Sequence, residues 1–467
     1  MVETVSLVDI THSKHQVAAS FSADRMRFTT SYWYDSVDFD HLRELYGVEK
    51  LEQLLFHIAA FEINKICSLR PQHLDWGRFA RFATPDFAAL WSAVFGNVWA
   101  QWRFENDAPD YRGPEFEVSD LKRDAPAFTL LGGSSSNPNV LSFFGGGKDS
   151  LVAAKLLENL PHGFDTLTYS SSIYGTAQRQ HELIDGLLDF CKPAHRRRQW
   201  VFDDFVDSPV LALGDAIRAR TLTAAETPSS IFAALPYVLQ HRYTHIALAH
   251  EKSADTGQVV WERTGEDVNH QWGKSYQAEK LLNRYISTHL VGGLRYFSTL
   301  KPIYDVVIFN MLRRHLDALP YAHSCNVAKP WCRRCAKCVY VWLNYLAYLP
   351  EHAVRPLFRE NLFDTADNMD LFRQMLGLSG HMPFECIGQM DEVKLAFEIC
   401  RRRGLSGQAI DLFASEALKP DYHALVERYT RVDLAQFGAP ELLHNGIARS
   451  LVASAAEAKQ YLAAFFN

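Results

Sequence analysis

The sequence lacks the marks of several protein classes. No apolar run approaches the roughly 18 residues that a membrane-spanning helix needs. The nearest candidate, 339–349, is too short and contains Asn344. The opening residues, Met1-Val2-Glu3-Thr4-Val5, carry no basic stretch followed by an apolar one, so no secretory signal is expected. Charge of neither sign dominates: 48 Lys and Arg against 54 Asp and Glu give a net charge of −6. That balance provides no overall basic footprint for nucleic acid. There is no internal repeat and no low-complexity tract. Cysteine is sparse, 8 in 467 residues, and four of the eight crowd into 325–338. A disulfide framework would spread its pairs along the chain, so this clustering points to reduced thiols. With 48% apolar and 22% charged residues, the expectation is a soluble cytoplasmic protein, long enough for about three domains.

Three textures divide the chain. Residues 1–128 are rich in aromatics: Met26–Tyr34 predicts a strand, and 51–66 and 87–103 have helical apolar spacing. Segment 106–123, charged and holding Pro109 and Pro114, reads as a connection, and 131–138 (LGGSSSNP) as a linker or turn. Strand candidates at 140–144, 165–169, 199–202 and 245–249 then alternate with helical patterns at 150–160, 181–190 and 229–240. Such alternation predicts a parallel sheet covered on both faces. Beyond about 310 the pattern is mainly helical. The expected architecture is α/β, with an N-terminal α+β domain over 1–128, a doubly wound α/β domain over 138–310 and a helical region over 311–467.

Between the first strand and helix of the central region runs Gly145-Gly146-Gly147-Lys148-Asp149-Ser150. Glycines let backbone approach an anion closely, and the following helix start offers free N–H groups and a positive dipole end. Lys148 adds a charge, Ser150 a hydroxyl, and Asp149 a carboxylate suited to magnesium. The plain alternative is a glycine turn with Asp149 capping the helix. The string is neither GxxxxGK[ST] nor GxGxxG. It resembles the SGGxDS loop of the N-type ATP pyrophosphatases, with Gly145 where many members carry serine.

Two further polar sets follow. His250-Glu251-Lys252-Ser253-Ala254 comes directly after a strand candidate, and in open α/β sheets ligands bind beyond the carboxyl ends of strands. Asn269, His270, Trp272 and Lys274 then pack polar and aromatic groups into VNHQWGKS. Later, MLGLSGHMPFECIG supplies His381, Glu385 and Cys386 as acid–base candidates or as helix-cap and contact residues. Cys325, Cys332, Cys335 and Cys338 are spaced C-x6-C-x2-C-x2-C. Four thiolates at such spacing can complete a tetrahedral zinc site. An iron–sulfur cluster and metal-free helical packing are the other readings.

Taken in order, GGGKDS, HEKSA, VNHQWGKS, YFSTLKP, SCN, WCRRCAKC, NLF and GLSGHMPFECIG, from about residue 140 to 400, resemble the UDP-N-acetylmuramoyl-L-alanyl-L-glutamate epimerase (MurL) family, a relative of the ATP pyrophosphatases. The resemblance implies a doubly wound sheet of the ATP pyrophosphatase type. It also implies ATP-dependent inversion of the terminal glutamate of a UDP-linked muramoyl dipeptide through a carboxyl adenylate, with AMP and pyrophosphate released. Gly145, Gly146, Gly147 and Ser150 would then bind phosphates with Lys148 in support, and Asp149 would hold magnesium. Glu251, Asn269, Trp272 and Lys274 become substrate contacts. His270 is the first acid–base candidate, ahead of Lys252, His381 and Cys386, and the four clustered cysteines would hold a structural zinc. No nucleic-acid or membrane partner is implied. An acidic chain handling these anions must concentrate positive charge locally, at Lys148, Lys252, Lys274, Arg333 and Arg334. Three alternatives stand beside this reading: an epimerase of another peptide, an ATP pyrophosphatase that modifies a nucleobase or tRNA, and a nucleotide-binding scaffold without turnover.

Overall fold

The structure, a computed structural model, describes residues 2–121, 125–130, 139–206, 208, 225–416 and 420–466. The linker expected at 131–138 lies outside them. Among the described residues, nine strands form one sheet. In chain order they are β1 (Thr4–Ser13), β2 (Gln16–Ala23), β3 (Met26–Tyr34), β4 (His73–Asp75), β5 (Val140–Phe143), β6 (Phe164–Ser171), β7 (Arg196–Asp203), β8 (His245–Leu248) and β9 (Arg295–Ser298). Their spatial order is β9-β8-β5-β6-β7-β3-β2-β1-β4. The five strands from β9 to β7 run parallel to one another. β3 joins β7 antiparallel and continues through the β3-β2-β1 meander, with β4 parallel at the far edge.

The sequence explains this division of labour. In β3 every second residue, Phe28, Thr30, Tyr32 and Tyr34, is buried, the period-two signature of a strand with unlike faces. β5 and β6 are buried on both faces, as internal parallel strands are. Alternate side chains feed two separate apolar cores. Leu141, Leu167, Ile246 and Tyr296 join one, together with helices α1 (Val48–Glu62) and α3 (Glu226–His241). Val140, Phe164, Ala247 and Phe297 join the other. There they meet α2 (Lys148–Glu158), α4 (Asp305–Met311), α5 (Ala336–Tyr348), α6 (Met390–Arg402) and α7 (Glu441–Phe466). Helices therefore cover both faces, and from Asp305 onward the described elements are all helical.

The 87–103 stretch forms two helices, Pro85–Val98 and Ala100–Glu105, with non-helical backbone at Trp99 between them. The C-terminal helix α7 packs on α4 and approaches the end of α2 so closely that a Cβ at Gly446 would lie 2.4 Å from Leu160. No described helix is long and apolar enough to cross a membrane.

One ion cluster ties the N-terminal region to the parallel strands. The Lys65 ammonium donates to both Glu62 and Asp203, whose side chains are 3% and 1% exposed. Removing the cation leaves two buried carboxylates without their counter-charge. Lys65→Ala is therefore expected to lower the unfolding free energy by about 3–5 kcal/mol in urea titration; a loss under about 1 kcal/mol would show that the cluster is effectively solvated.

Candidate active site

β5 and β8 lie side by side, but their onward connections leave in opposite directions, to β6 and to β9. A crevice opens at such a point beyond the carboxyl ends of the strands. The glycine loop follows β5 there, and His250-Glu251 follows β8. Gly145 N–H donates to Ser150 Oγ (3.1 Å), folding the loop back on the first turn of α2. No side chain caps that turn, so its N–H groups remain available to an anion. Gly146 has φ +82°, and a Cβ there would lie 2.3 Å from the imidazole of His323.

Lys148 points inward. Its ammonium has no exposed surface and donates to Asp149 Oδ1 and Asp305 Oδ1, both at 2.5 Å. Burial disfavours the charge, but Asp149, Asp305 and Glu251 outweigh it and raise the lysine above its ordinary value. Asp305 also accepts from Tyr340 Oη (2.9 Å), and its own N–H donates to Ser253 Oγ (3.0 Å). Ser253 donates in turn to Glu392 (3.0 Å), which burial and the neighbouring Asp305 push up to about 8. Burial, then Asp149 and Asp305, likewise raise Glu251. Lys301 donates to the carbonyls of Glu251 and Lys274, both at 2.8 Å, and so joins the two central signatures.

Next to these carboxylates stands Cys386. The residue is half-buried, and its thiol interacts electrostatically with both His270 and Lys274. Burial raises the thiol, but Lys274, the hydrogen bond and charge of His270, and Lys337 together bring it down to about 6. His270 Nδ1 pairs with Gln101 Oε1 at 2.6 Å, which leaves the other side of the ring for the cysteine. Lys274 is raised because Cys386, Glu251 and Asp149 outweigh its burial. One lysine thus stands in the field of the thiol, of Glu251 and of the loop carboxylate Asp149.

Other sequence candidates lie apart from this group. Lys252 binds Asp433 Oδ2 and Gln436 Oε1, both at 2.7 Å, and lines a 710 Å³ cleft with Arg428, Arg431 and Lys459. Asn269 braces its own loop through Ala254 O and Gln271 N–H, both at 2.9 Å. Trp272 is buried and donates to Gln277 (3.1 Å); with Asn269 it borders a separate 440 Å³ cleft. His381 packs its ring on Phe104 and Phe384 and pairs Nδ1 with Met382 O at 2.7 Å. Arg333 and Arg334 pair outward with Glu360 and Asp367. Asp305, Glu392 and His323 belong to the assembly although no sequence signal singled them out. The first two lie in the first turns of helices, and only the fold brings Asp305 to Lys148 and Glu392, through Ser253, to Asp305.

The four clustered thiols do converge. All four sulfurs lie within 4.8 Å of one another. The Cys325–Cys335 and Cys332–Cys338 separations of 3.9 and 3.8 Å match the about 3.8 Å edge of a zinc–thiolate tetrahedron with about 2.3 Å bonds. Backbone N–H groups of Val327, Ala328 and Cys332 point at Cys325 Sγ at 3.3–3.4 Å, and that of Cys338 at Cys335 Sγ at 3.4 Å. These donors suit thiolates, so the set fits a tetrahedral metal.

Alkylation of Cys386 by iodoacetamide, followed by peptide mass spectrometry, is expected to rise with pH about a midpoint near 6. Lys274→Met should move that midpoint up by about one pH unit or more. A wild-type midpoint at the ordinary thiol value of about 8.5 would contradict the assembly.

Comparison with known proteins agrees with the ordered signatures. A family model described as the MurL C-terminal domain matches residues 321–425, and one described as the MurL N-terminal domain matches residues 224–299. The UDP-N-acetyl-alpha-D-muramoyl-L-alanyl-L-glutamate epimerase of a Micromonospora species is 29% identical over 325 residues, covering 67% of each chain. Proteins of the same name from Salinispora tropica and Xanthomonas oryzae are each 27% identical, over 68% of this chain and 66% and 67% of their own. No solved structure matches. The motif order, both family models and these relatives agree in making the chain similar to the MurL family.

Proposed function

We propose that this protein is an epimerase of peptidoglycan precursor synthesis. It inverts the terminal L-glutamate of UDP-N-acetylmuramoyl-L-alanyl-L-glutamate at the expense of ATP. The observation that carries the reading is the meeting of Lys274 with Cys386 on one side and with Glu251 and Asp149 of the strand ends on the other, in a chain whose relatives bear the epimerase name. In this reading a proton-abstracting group and a nucleotide-binding loop share one crevice. The sheet order and the loop favour the doubly wound ATP pyrophosphatase type of domain.

The chemistry follows from charge. A free carboxylate resists loss of its α-proton because the carbanion would form beside a negative charge. Attack of the carboxylate on the α-phosphorus of ATP forms an acyl adenylate, breaks the bond to the β-phosphate and releases pyrophosphate. The carbonyl, no longer anionic, then withdraws electrons from Cα. Loop N–H groups at Gly146 and Gly147 and the α2 N-terminus hold the phosphates, with Gly145 folding the loop through Ser150. Lys148 is the internal strut that fixes Asp149 and Asp305 rather than a phosphate contact. Two carboxylates sharing one ammonium leave net negative charge at the surface of the loop, which suits a magnesium ion held by Asp149. Magnesium, when bound, supplies charge neutralisation for the departing pyrophosphate.

Cys386 as thiolate takes the α-proton, and Lys274 and His270 hold the thiolate in the ionised form. His270 shares a hydrogen bond with Cys386, so the two act as one unit on one face of Cα. A solvent water delivers a proton to the opposite face to give the D centre, and the hydroxide so formed takes the proton from the Cys386 thiol, which closes the proton balance. Water then cleaves the adenylate to carboxylate and AMP, so the net reaction consumes ATP and water and yields AMP and pyrophosphate. Cys325, Cys332, Cys335 and Cys338 would hold zinc, which supplies a structural crosslink there.

Incubation with UDP-N-acetylmuramoyl-L-alanyl-L-glutamate, ATP and magnesium, followed by hydrolysis and chiral analysis, is expected to yield D-glutamate with AMP in step. Absence of D-glutamate would overturn the reading. Asp149→Ala should lower pyrophosphate release by about 100-fold or more. Cys386→Ala should lower exchange of the substrate α-proton with deuterated solvent by about 100-fold or more while pyrophosphate release continues. Elemental analysis of the purified chain should find zinc equimolar with protein, lost in Cys335→Ser.

A further inference from the structure

The segment between the glycine loop and the cysteine cluster is short and pinned at both ends. His323 N–H donates to Gly146 O at 2.9 Å, and the Cε1–Nε2 edge of the buried imidazole fills the space where a Cβ on Gly146 would stand. Two residues on, Cys325 enters the four-sulfur cluster. Between them Ser324 Oγ lies 3.1 Å from where a Cβ on Gly147 would stand. Gly147 has an ordinary φ of −92° that any residue adopts. Space, not backbone conformation, therefore restricts that position, and Ser324 takes up the space. On the far side, Asn326 Nδ2 donates to Glu385 Oε2 (3.1 Å), the neighbour of Cys386.

The imidazole itself is held at a cost. Nδ1 pairs with Tyr321 O at 3.2 Å, but Nε2 is buried with no hydrogen-bond partner. A polar atom in that state disfavours the conformation, so something other than its own bonding must keep the ring on the loop. The covalent tether to the cluster, with its backbone N–H donors converging on Cys325, is the feature positioned to do so.

We propose that His323 and Ser324 are positioning residues of the glycine loop and that the metal-bound cysteine cluster holds them there. The metal site then sets the shape of the phosphate cradle, and its loss opens the loop before it unfolds the chain. This inference rests on the assignment of the loop to ATP and of the cluster to zinc.

The test compares full-length wild type, chelator-depleted wild type, Cys335→Ser and His323→Ala. Three readouts are zinc content, amide hydrogen exchange of the peptide 144–150, and calorimetric affinity for α,β-methylene ATP with magnesium. Depletion and Cys335→Ser are expected to speed exchange in 144–150 and weaken nucleotide binding by about tenfold or more. His323→Ala should do the same with zinc retained and the melting temperature unchanged, which a merely structural role would not produce. Unchanged exchange and affinity in His323→Ala, or a purified wild type without metal, overturns the proposal. Should Cys335→Ser fail to fold, His323→Ala decides alone. Should wild type bind no nucleotide, the ATP assignment falls, and the exchange comparison still decides whether the cluster shapes the loop.

Discussion

A lysine ammonium with no exposed surface must find its counter-charges inside the protein, and Lys148 finds them on two different elements. Asp149 is its chain neighbour, whereas Asp305 starts α4, more than 150 residues later. Asp305 could not be buried so near the half-buried Asp149 without the shared cation. The contact therefore fixes where α4 begins relative to α2, and with it the helices packed behind. Tyr340 on α5, Ser253 after β8 and Glu392 on α6 extend the same network from Asp305. The glycine loop, the segment after β8 and three helices thus meet through one polar chain whose anchor is a single buried charge.

That network also sorts structural from chemical charge. Lys148 and Lys301 are spent internally, one on carboxylates and one mainly on carbonyls. Lys274 stands in the field of Cys386, Glu251 and Asp149, so its charge acts on the thiol and on two carboxylates at the strand ends. Cys386 is depressed by its neighbours, while the other scattered thiols, Cys67, Cys191 and Cys400, are raised by burial. The difference lies in cationic neighbours rather than in depth, since burial alone would raise all four.

The N-terminal region shows what period alone misses. β3 was legible because its aromatic residues alternate, but β1 and β2 carry shorter and weaker alternation, with Ser, Ala and Thr at many positions. Their strand character comes from pairing with β3, and β3 in turn joins β7 of the parallel set. Gln101 from this region also reaches His270. A region that reads as a separate module therefore shares both the sheet and the crevice.

The sequence by itself determined the elements whose signal is local. Strand–helix alternation, the glycine loop, the cysteine spacing and the ordered signatures all follow from side-chain period, turn chemistry and ligand spacing over a few residues. Tertiary structure alone decided which of the candidate groups meet. It placed His270, Lys274 and Cys386 together, turned Lys252 toward Asp433 and His381 into an aromatic cluster, and brought Asp305, Glu392 and His323 to the loop. The physical reason is that pairing between charges depends on distance and burial. Both are set by how distant segments pack, and neither leaves a mark in the residues that flank an isolated Asp, Glu or His.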